Sequence, residues 1–351
     1  MPAHTHVQSV CICGWNITRS HRNGGAGYFR ALCRVLASHG VAVTFLQPAA
    51  EDPADLPPGQ PYTVREYRHP CELPALLPAA AETLICKFLD RAPEEDAVLA
   101  QLLAGAGRVW LADGDAPDTL AHLSRPAGAG VRTLLPACAG VLLLTGGPRA
   151  AACYRRLGAR RTARWYAAAD PCPLTDASPT VDALFIGNPD PGRDARVEAI
   201  LFGAAAARPQ YSFLLIGDGW TRFPRLPNLQ VIGHRPPEAL PSYYQSARAV
   251  INLTRASQRQ WGYCPSMRLF EAAAVGATVI SDSWPGMASC FTPDQEVLIA
   301  DTPAALAAQL DRAMGDTARA VGRAMHARLC RQHTWRQRIG ELWRVVGMAE
   351  A

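Results

Sequence analysis

Short apolar runs that end in a glycine-bearing turn and lead into a helical pattern recur along this chain, and no other feature constrains its fold as much. VLLLTGG (141–147), DALFIGN (182–188), FLLIGDGW (213–220) and LQVIGHRP (229–236) share this design. Strands buried on both faces of a parallel sheet read as continuous apolar runs rather than as an alternation. Their repetition with intervening helices predicts an α/β protein with doubly wound sheets. The chain has 351 residues, of which 49% are apolar, enough for two domains with real cores. The expected architecture is therefore two Rossmann-like domains.

The opening follows the same plan. Val7 to Ile12 reads as a strand, Tyr28, Leu32, Val35 and Leu36 follow helical spacing up to Gly40, and VAVTFLQP (41–48) is a second strand. The loop between them is glycine-rich but lacks the G-x-G-x-x-G order, and Gln47 stands where a dinucleotide fold places an acid. That disfavours a nicotinamide- or flavin-dependent oxidoreductase. Asn23, Gly24 and Gly25 let backbone N–H groups approach an anion, or form an ordinary tight turn. His21 beside them offers a proton-transfer group and Arg22 a positive charge.

The strand RVWLAD ends in Asp113-Gly114-Asp115, followed by Pro117 and Thr119. Two carboxylates at a strand end suit general-base work or hydroxyl binding, and an acid at a helix start also suits plain capping. Thr145, Gly146 and Gly147 bring a third strand end to the same edge. Asp170 to Thr180, rich in Pro, Asp and Ser, reads as a linker. The domains expected are 1–172 and 180–325, with 326–351 a closing helix that packs back on the first domain.

The stretch Ala249 to Gly286 holds the most specific pattern. An apolar strand crosses a polar and aromatic loop into a helix expected over Pro265 to Val275, with Gly276 at its C-terminal end and ATVIS as the next strand. The helix is apolar almost all round except for Ser266, Arg268 and Glu271. Arg268 and Glu271, three apart, share a face. A helix starting at strand carboxyl ends favours a phosphate, so Arg268 suits a diphosphate and Glu271 both hydroxyls of a ribose. The alternative is an ion pair between the two.

NLTRA, GYCPSMRLFEAAAVG and ISDSWPGM resemble the carboxyl-terminal signature of the group 1 glycosyltransferases of the spore-maturation, CgeB-like type, which have the GT-B fold. The resemblance implies two Rossmann-like domains facing a cleft, with Arg268 and Glu271 turned to a nucleotide-sugar. It implies a donor site that also takes in Ser266, Tyr263, Thr254 and Arg255. The strand-end residues Gly187, Gly217 and His234 and the loop residues Asn23, Gly24 and Gly25 complete that set. Asp113 and Asp115 match an Asp-x-Asp-x-Pro-x-Thr segment of the relatives, and with His21 they are the expected catalytic residues on the acceptor side. Many retaining relatives carry a second Glu eight positions before the helix Glu, where this chain has Tyr263, so the resemblance fixes no stereochemical outcome.

The expected donor is a UDP-, dTDP- or GDP-sugar, and no metal is required because Arg268 and helix N-termini neutralise the leaving diphosphate. A non-catalytic sugar-nucleotide-binding or coat-type protein on the same fold is the alternative. Net charge is +5 and Lys87 is the sole lysine, but the arginines are scattered without interleaved aromatics, which disfavours nucleic-acid binding. Eleven cysteines without a Cys-x-x-Cys pair suggest reduced thiols in a cytoplasmic protein. No apolar run approaches 18 residues, so no membrane span is expected.

Overall fold

The structure, a computed structural model, describes residues 9–22, 24–78, 83–87, 94–105, 107–174 and 178–346. The chain divides into two compact units, Met1–Tyr166 with Trp335–Ala351, and Ala167–Thr334.

The first unit is built on a sheet of seven strands: β1 (Ser9–Cys13), β2 (Ala42–Pro48), β3 (Thr63–Tyr67), β4 (Thr83–Lys87), β5 (Val109–Asp113), β6 (Gly140–Leu143) and β7 (Thr162–Arg164). Their order is β3-β2-β1-β4-β5-β6-β7 and every pairing is parallel. β1 and β5 are buried along their whole length, as their mostly apolar sequences require. The strand order reverses between β1 and β4, where Ile12 lies opposite Ile85.

The second unit repeats the plan with β8 (Val181–Ile186), β9 (Phe213–Ile216), β10 (Leu229–Ile232), β11 (Ala247–Asn252), β12 (Thr278–Ser281) and β13 (Leu298–Ile299). The order is β10-β9-β8-β11-β12-β13, again wholly parallel. Here the reversal falls between β8 and β11, with Ala183 opposite Ala249. In such sheets ligands bind outside the carboxyl ends of the strands at this switch point. Phe185, Leu215, Ile251 and Ile280 from the sheet, with Leu306 and Leu310 from the Pro303–Ala313 helix, form its core.

Several boundaries differ from those read in the sequence. The units part at Tyr166, ahead of the expected linker, because the Ala169 and Cys172 N–H groups already bond to the His333 and Ala274 carbonyls of the second unit. Three helices close the chain: Pro303–Ala313, Asp316–Gln332 and Trp335–Val346. Residue 326 lies inside the second of these, and only the last belongs to the first unit. There Trp335 packs 4.9 Å from the Tyr28 ring, and Trp165 donates its indole N–H to the Arg338 carbonyl at 3.1 Å. The loop expected before Pro265 contains a helix of its own, Ala256–Trp261.

Gly322 in the Asp316–Gln332 helix lies directly on the backbone entering β12. A Cβ there would sit 2.4 Å from the Gly276 carbonyl oxygen and 3.0 Å from Thr278 N. Backbone cannot give way cheaply, so Gly322→Ala is expected to cost about 1–3 kcal/mol, as overpacking does. At roughly 2–4 °C per kcal/mol, thermal melting should show a loss of several degrees. An unchanged melting temperature would contradict this helix-to-sheet contact.

Candidate functional site

The helix expected over 265–275 spans Met267–Ala274. Ser266 is its N-cap, held extended, and its Oγ accepts the Arg268 N–H at 3.3 Å. Leu269, Phe270 and Ala272 to Ala274 are buried, which fixes the helix's rotation and turns Arg268 under the switch point. Arg268 Nη1 donates to Asn252 Oδ1 at 2.8 Å, and Nη2 donates to the Ile186 carbonyl. One guanidinium thus ties together the last residues of β8 and β11. It also lies 4.9 Å over the Phe185 ring, and its Nε–H is buried without an acceptor among the described residues. Asn252 is oriented for this by donating its amide to Ser281 Oγ at 2.9 Å.

Arg193 joins the same place. Its Nη2 donates to the Asn188 carbonyl at 2.8 Å, its guanidinium lies 5.4 Å over Phe185, and its Nε–H too is buried without an acceptor among the described residues. Burial first, then the charges of Arg268 and Arg255, push its pKa down to about 10. Like charges gathered in a poorly solvated place are costly and leave a strong preference for an anion. Gly187 lies between the two guanidiniums: a Cβ there would meet Arg193 Nη2 at 2.9 Å and Arg268 Nη2 at 3.1 Å. Its φ of 153° and that of Gly217, 152°, lie in the range that only glycine adopts readily. A Cβ on Gly217 would strike the Gly187 carbonyl oxygen at 2.4 Å.

One turn deeper, Glu271 accepts at Oε2 from the buried Tyr244 hydroxyl at 2.7 Å. Burial raises its pKa, and the Tyr244 hydrogen bond and the Arg268 charge oppose that rise. Among the described residues no ion pair joins Glu271 to Arg268, so the alternative read from the sequence does not form.

Around this centre, Thr254 donates its N–H and its hydroxyl to Asp282, whose wholly buried carboxylate also pairs with Arg196 at 3.0 Å. Arg255 pairs with Asp190 at 2.8 Å. The His234 N–H donates to Asp218 Oδ1 at 2.9 Å. Tyr263 has a φ of 52°, an uncommon backbone for a residue with a Cβ, and its N–H bonds to the Pro285 carbonyl at 2.7 Å. Its ring lies against Gly286, where a Cβ would come within 2.4 Å of it.

In the first unit, His21 stands on the short turn Ser20–Arg22 after β1, with Nε2 2.6 Å from Asp52 Oδ2. Gly25 caps the Ala26–Ser38 helix and Gly24 has open space around it, whereas Asn23 lies outside the described residues. Asp113, expected as a general base, is 1% exposed. Its Oδ1 accepts from the Asp115 N–H at 2.9 Å and the Thr119 hydroxyl at 3.0 Å, and its Oδ2 from the Tyr154 hydroxyl at 2.6 Å. Burial raises its pKa to about 7, opposed chiefly by the Tyr154 bond. These bonds devote Asp113 to holding the strand-to-helix turn. Asp115 is the N-cap residue of the Ala116–Leu123 helix and is half-buried, and Thr145 Oγ accepts the Ala116 N–H at 2.9 Å.

Arg193, Asn252 and Tyr244 went unread in the sequence. Asn252 carried a signal, a polar residue ending an apolar strand. Arg193 stands six residues past Gly187 at a helix start, a weaker signal, and Tyr244 had none. No three His, Cys, Asp or Glu among the described residues stand together as metal ligands would, and no described helix is long and apolar enough to cross a membrane.

Comparison with known proteins agrees with this architecture. The sequence profile of a family described as glycosyl transferase-like matches residues 193–344. No curated protein sequence matches the chain. Among solved structures, the chain resembles a sucrose-phosphate synthase from Thermosynechococcus elongatus (17% identity, 96% of this chain and 99% of that one, TM-score 0.67). It also resembles HepE of Anabaena in complex with UDP and glucose (11% identity, 98% and 100%, TM-score 0.70). A third is BGT of T4 phage in complex with its UDP-glucose substrate (11% identity, 97% and 100%, TM-score 0.63). The fold is GT-B.

Proposed function

We propose that the protein is a glycosyltransferase, of the hexosyl-transferring and spore-maturation-like type, that draws its sugar from a nucleoside diphosphate sugar bound at the carboxyl ends of β8 and β11. The observation that carries this reading is the pair of guanidiniums, Arg268 and Arg193, gathered at the switch point of the second sheet with Gly187 between them. Their buried Nε–H groups, without an acceptor among the described residues, and their mutual repulsion suit a diphosphate, and Glu271, beyond Arg268 on the same helix, suits the ribose. The glycosyl transferase-like profile over this region, and the complexes with UDP and glucose and with UDP-glucose among proteins of this fold, support a nucleotide-sugar donor.

In this mechanism the arginines stabilise the charge that develops on the leaving diphosphate, which lowers the barrier only so far as they bind it better than the intact donor. Ser266, Thr254, Arg255 and Gly217 shape the surrounding turns, Tyr263 borders them, and His234 stands at the end of β10. His21, held by Asp52, receives the acceptor's proton, with Asp115 near the neighbouring strand end. The Asp113 carboxylate positions that turn. The acceptor belongs to the first unit, and the reaction runs in the cytoplasm, where the thiols stay reduced.

A thermal-shift series with UDP, GDP, ADP and dTDP and their glucose conjugates tests the donor reading. A ligand at a hundred times its Kd should stabilise the protein by about 2.7 kcal/mol. A series with no shift for any diphosphate at millimolar concentration would contradict it.

A further inference from the structure

Tyr244 lies in the Leu240–Ser246 helix, 27 residues before Glu271, and is 1% exposed. Packing therefore fixes where its hydroxyl points, and that hydroxyl donates to Glu271 Oε2 at 2.7 Å. This is the hydrogen bond that Glu271 makes among the described residues; its Oε1 accepts from none of them, although the residue is only half-buried. Arg268, one turn away, is turned instead toward Asn252 and the Ile186 carbonyl. The carboxylate is thus locked by one oxygen and presents the other.

A carboxylate accepts at about four lone-pair sites across its two oxygens, and a ribose offers two adjacent hydroxyl donors. A carboxylate free to rotate turns to water when one donor is missing. One that is held in place cannot, and it keeps an unpaired acceptor facing the ligand. That penalty, rather than the hydrogen bond itself, is what lets a built polar site reject an analogue lacking a hydroxyl.

Resting on the donor reading above, we propose that Tyr244 is the positioning residue that makes this site select ribose, so that the donor is a ribonucleoside diphosphate sugar and not a thymidine diphosphate sugar. Tyr244 does this through Glu271, without touching the nucleotide.

Calorimetric titration with uridine and guanosine diphosphates and their 2′-deoxy counterparts tests this. For the wild-type protein the ribonucleotide of the preferred base should bind at least about 10-fold tighter than its deoxy form, roughly 1.4 kcal/mol. Tyr244→Phe keeps the buried ring and should bring the two within about threefold of each other, mainly by weakening the ribonucleotide. Glu271→Gln should do the same, and adding Tyr244→Phe to it should change the ratio no further. Equal binding of ribo and deoxy forms to the wild-type protein would overturn the inference and leave the donor reading intact. So would a full ribose preference in a Tyr244→Phe variant that melts with the wild type. Binding of thymidine diphosphate alone would also overturn the inference, whereas failure of these four together with adenosine and thymidine diphosphates to bind would remove the donor reading, and the inference with it.

Discussion

His21→Ala is expected to lower kcat by roughly 10²–10⁴-fold while leaving nucleoside diphosphate affinity and melting temperature close to wild type. The side chain is partly exposed on a three-residue turn and engages Asp52 at 2.6 Å, so its loss opens no core. Asp113→Ala should behave differently. It would remove the hydrogen bonds that the buried Tyr154 hydroxyl and the Thr119 hydroxyl make to this carboxylate, at about 1–3 kcal/mol. Its mark should be a lowered melting temperature rather than a selective loss of turnover. Steady-state kinetics beside thermal melts separates the two. Wild-type kcat in His21→Ala would remove it as the proton acceptor, and an unchanged melting temperature in Asp113→Ala would contradict the role of its hydrogen bonds.

Arg268→Ala should weaken nucleoside diphosphate binding by roughly 10- to 100-fold, taking a charged hydrogen bond at about 1.5–3 kcal/mol. Nucleoside monophosphate should suffer less. Because the change also strips donors from Asn252 Oδ1 and the Ile186 carbonyl, some thermal stability should go with it. Arg268→Lys, which restores a charge but not the planar fork, should recover stability more than affinity. Titration of both variants with diphosphate and monophosphate decides this: a folded Arg268→Ala with wild-type affinity for both would remove Arg268 from the phosphate site.

The second unit's sheet was readable because fully buried parallel strands leave continuous apolar runs, and Arg268 and Glu271 stood out against an otherwise apolar helix. What those two residues touch was not readable. Asn252 lies 16 residues from Arg268, Ile186 lies 82 away, and Tyr244 reaches Glu271 across 27. Spacing along one helix suggested an Arg268–Glu271 pair, but each side chain instead finds a partner on another element. Asp113 shows the opposite limit. A carboxylate at a strand end reads the same whether it faces a substrate or folds inward, and only the arrival of Tyr154 from 41 residues away tells the two apart. The extra helix at Ala256–Trp261 escaped because six residues of ASQRQW carry no apolar period. Arg193 escaped because its meaning depends on Gly187, whose missing side chain leaves room for both guanidiniums.

The central claim is turnover of a nucleotide-sugar, and it is tested most directly by incubating the wild-type protein with UDP-, GDP-, ADP- and dTDP-glucose and measuring the nucleoside diphosphate released. The account predicts release from at least one ribonucleoside donor, slow with water as acceptor, and reduced at least tenfold by Arg268→Ala. Intact donors after prolonged incubation, from a protein that binds the same diphosphates, would contradict it and leave a sugar-nucleotide-binding protein in its place.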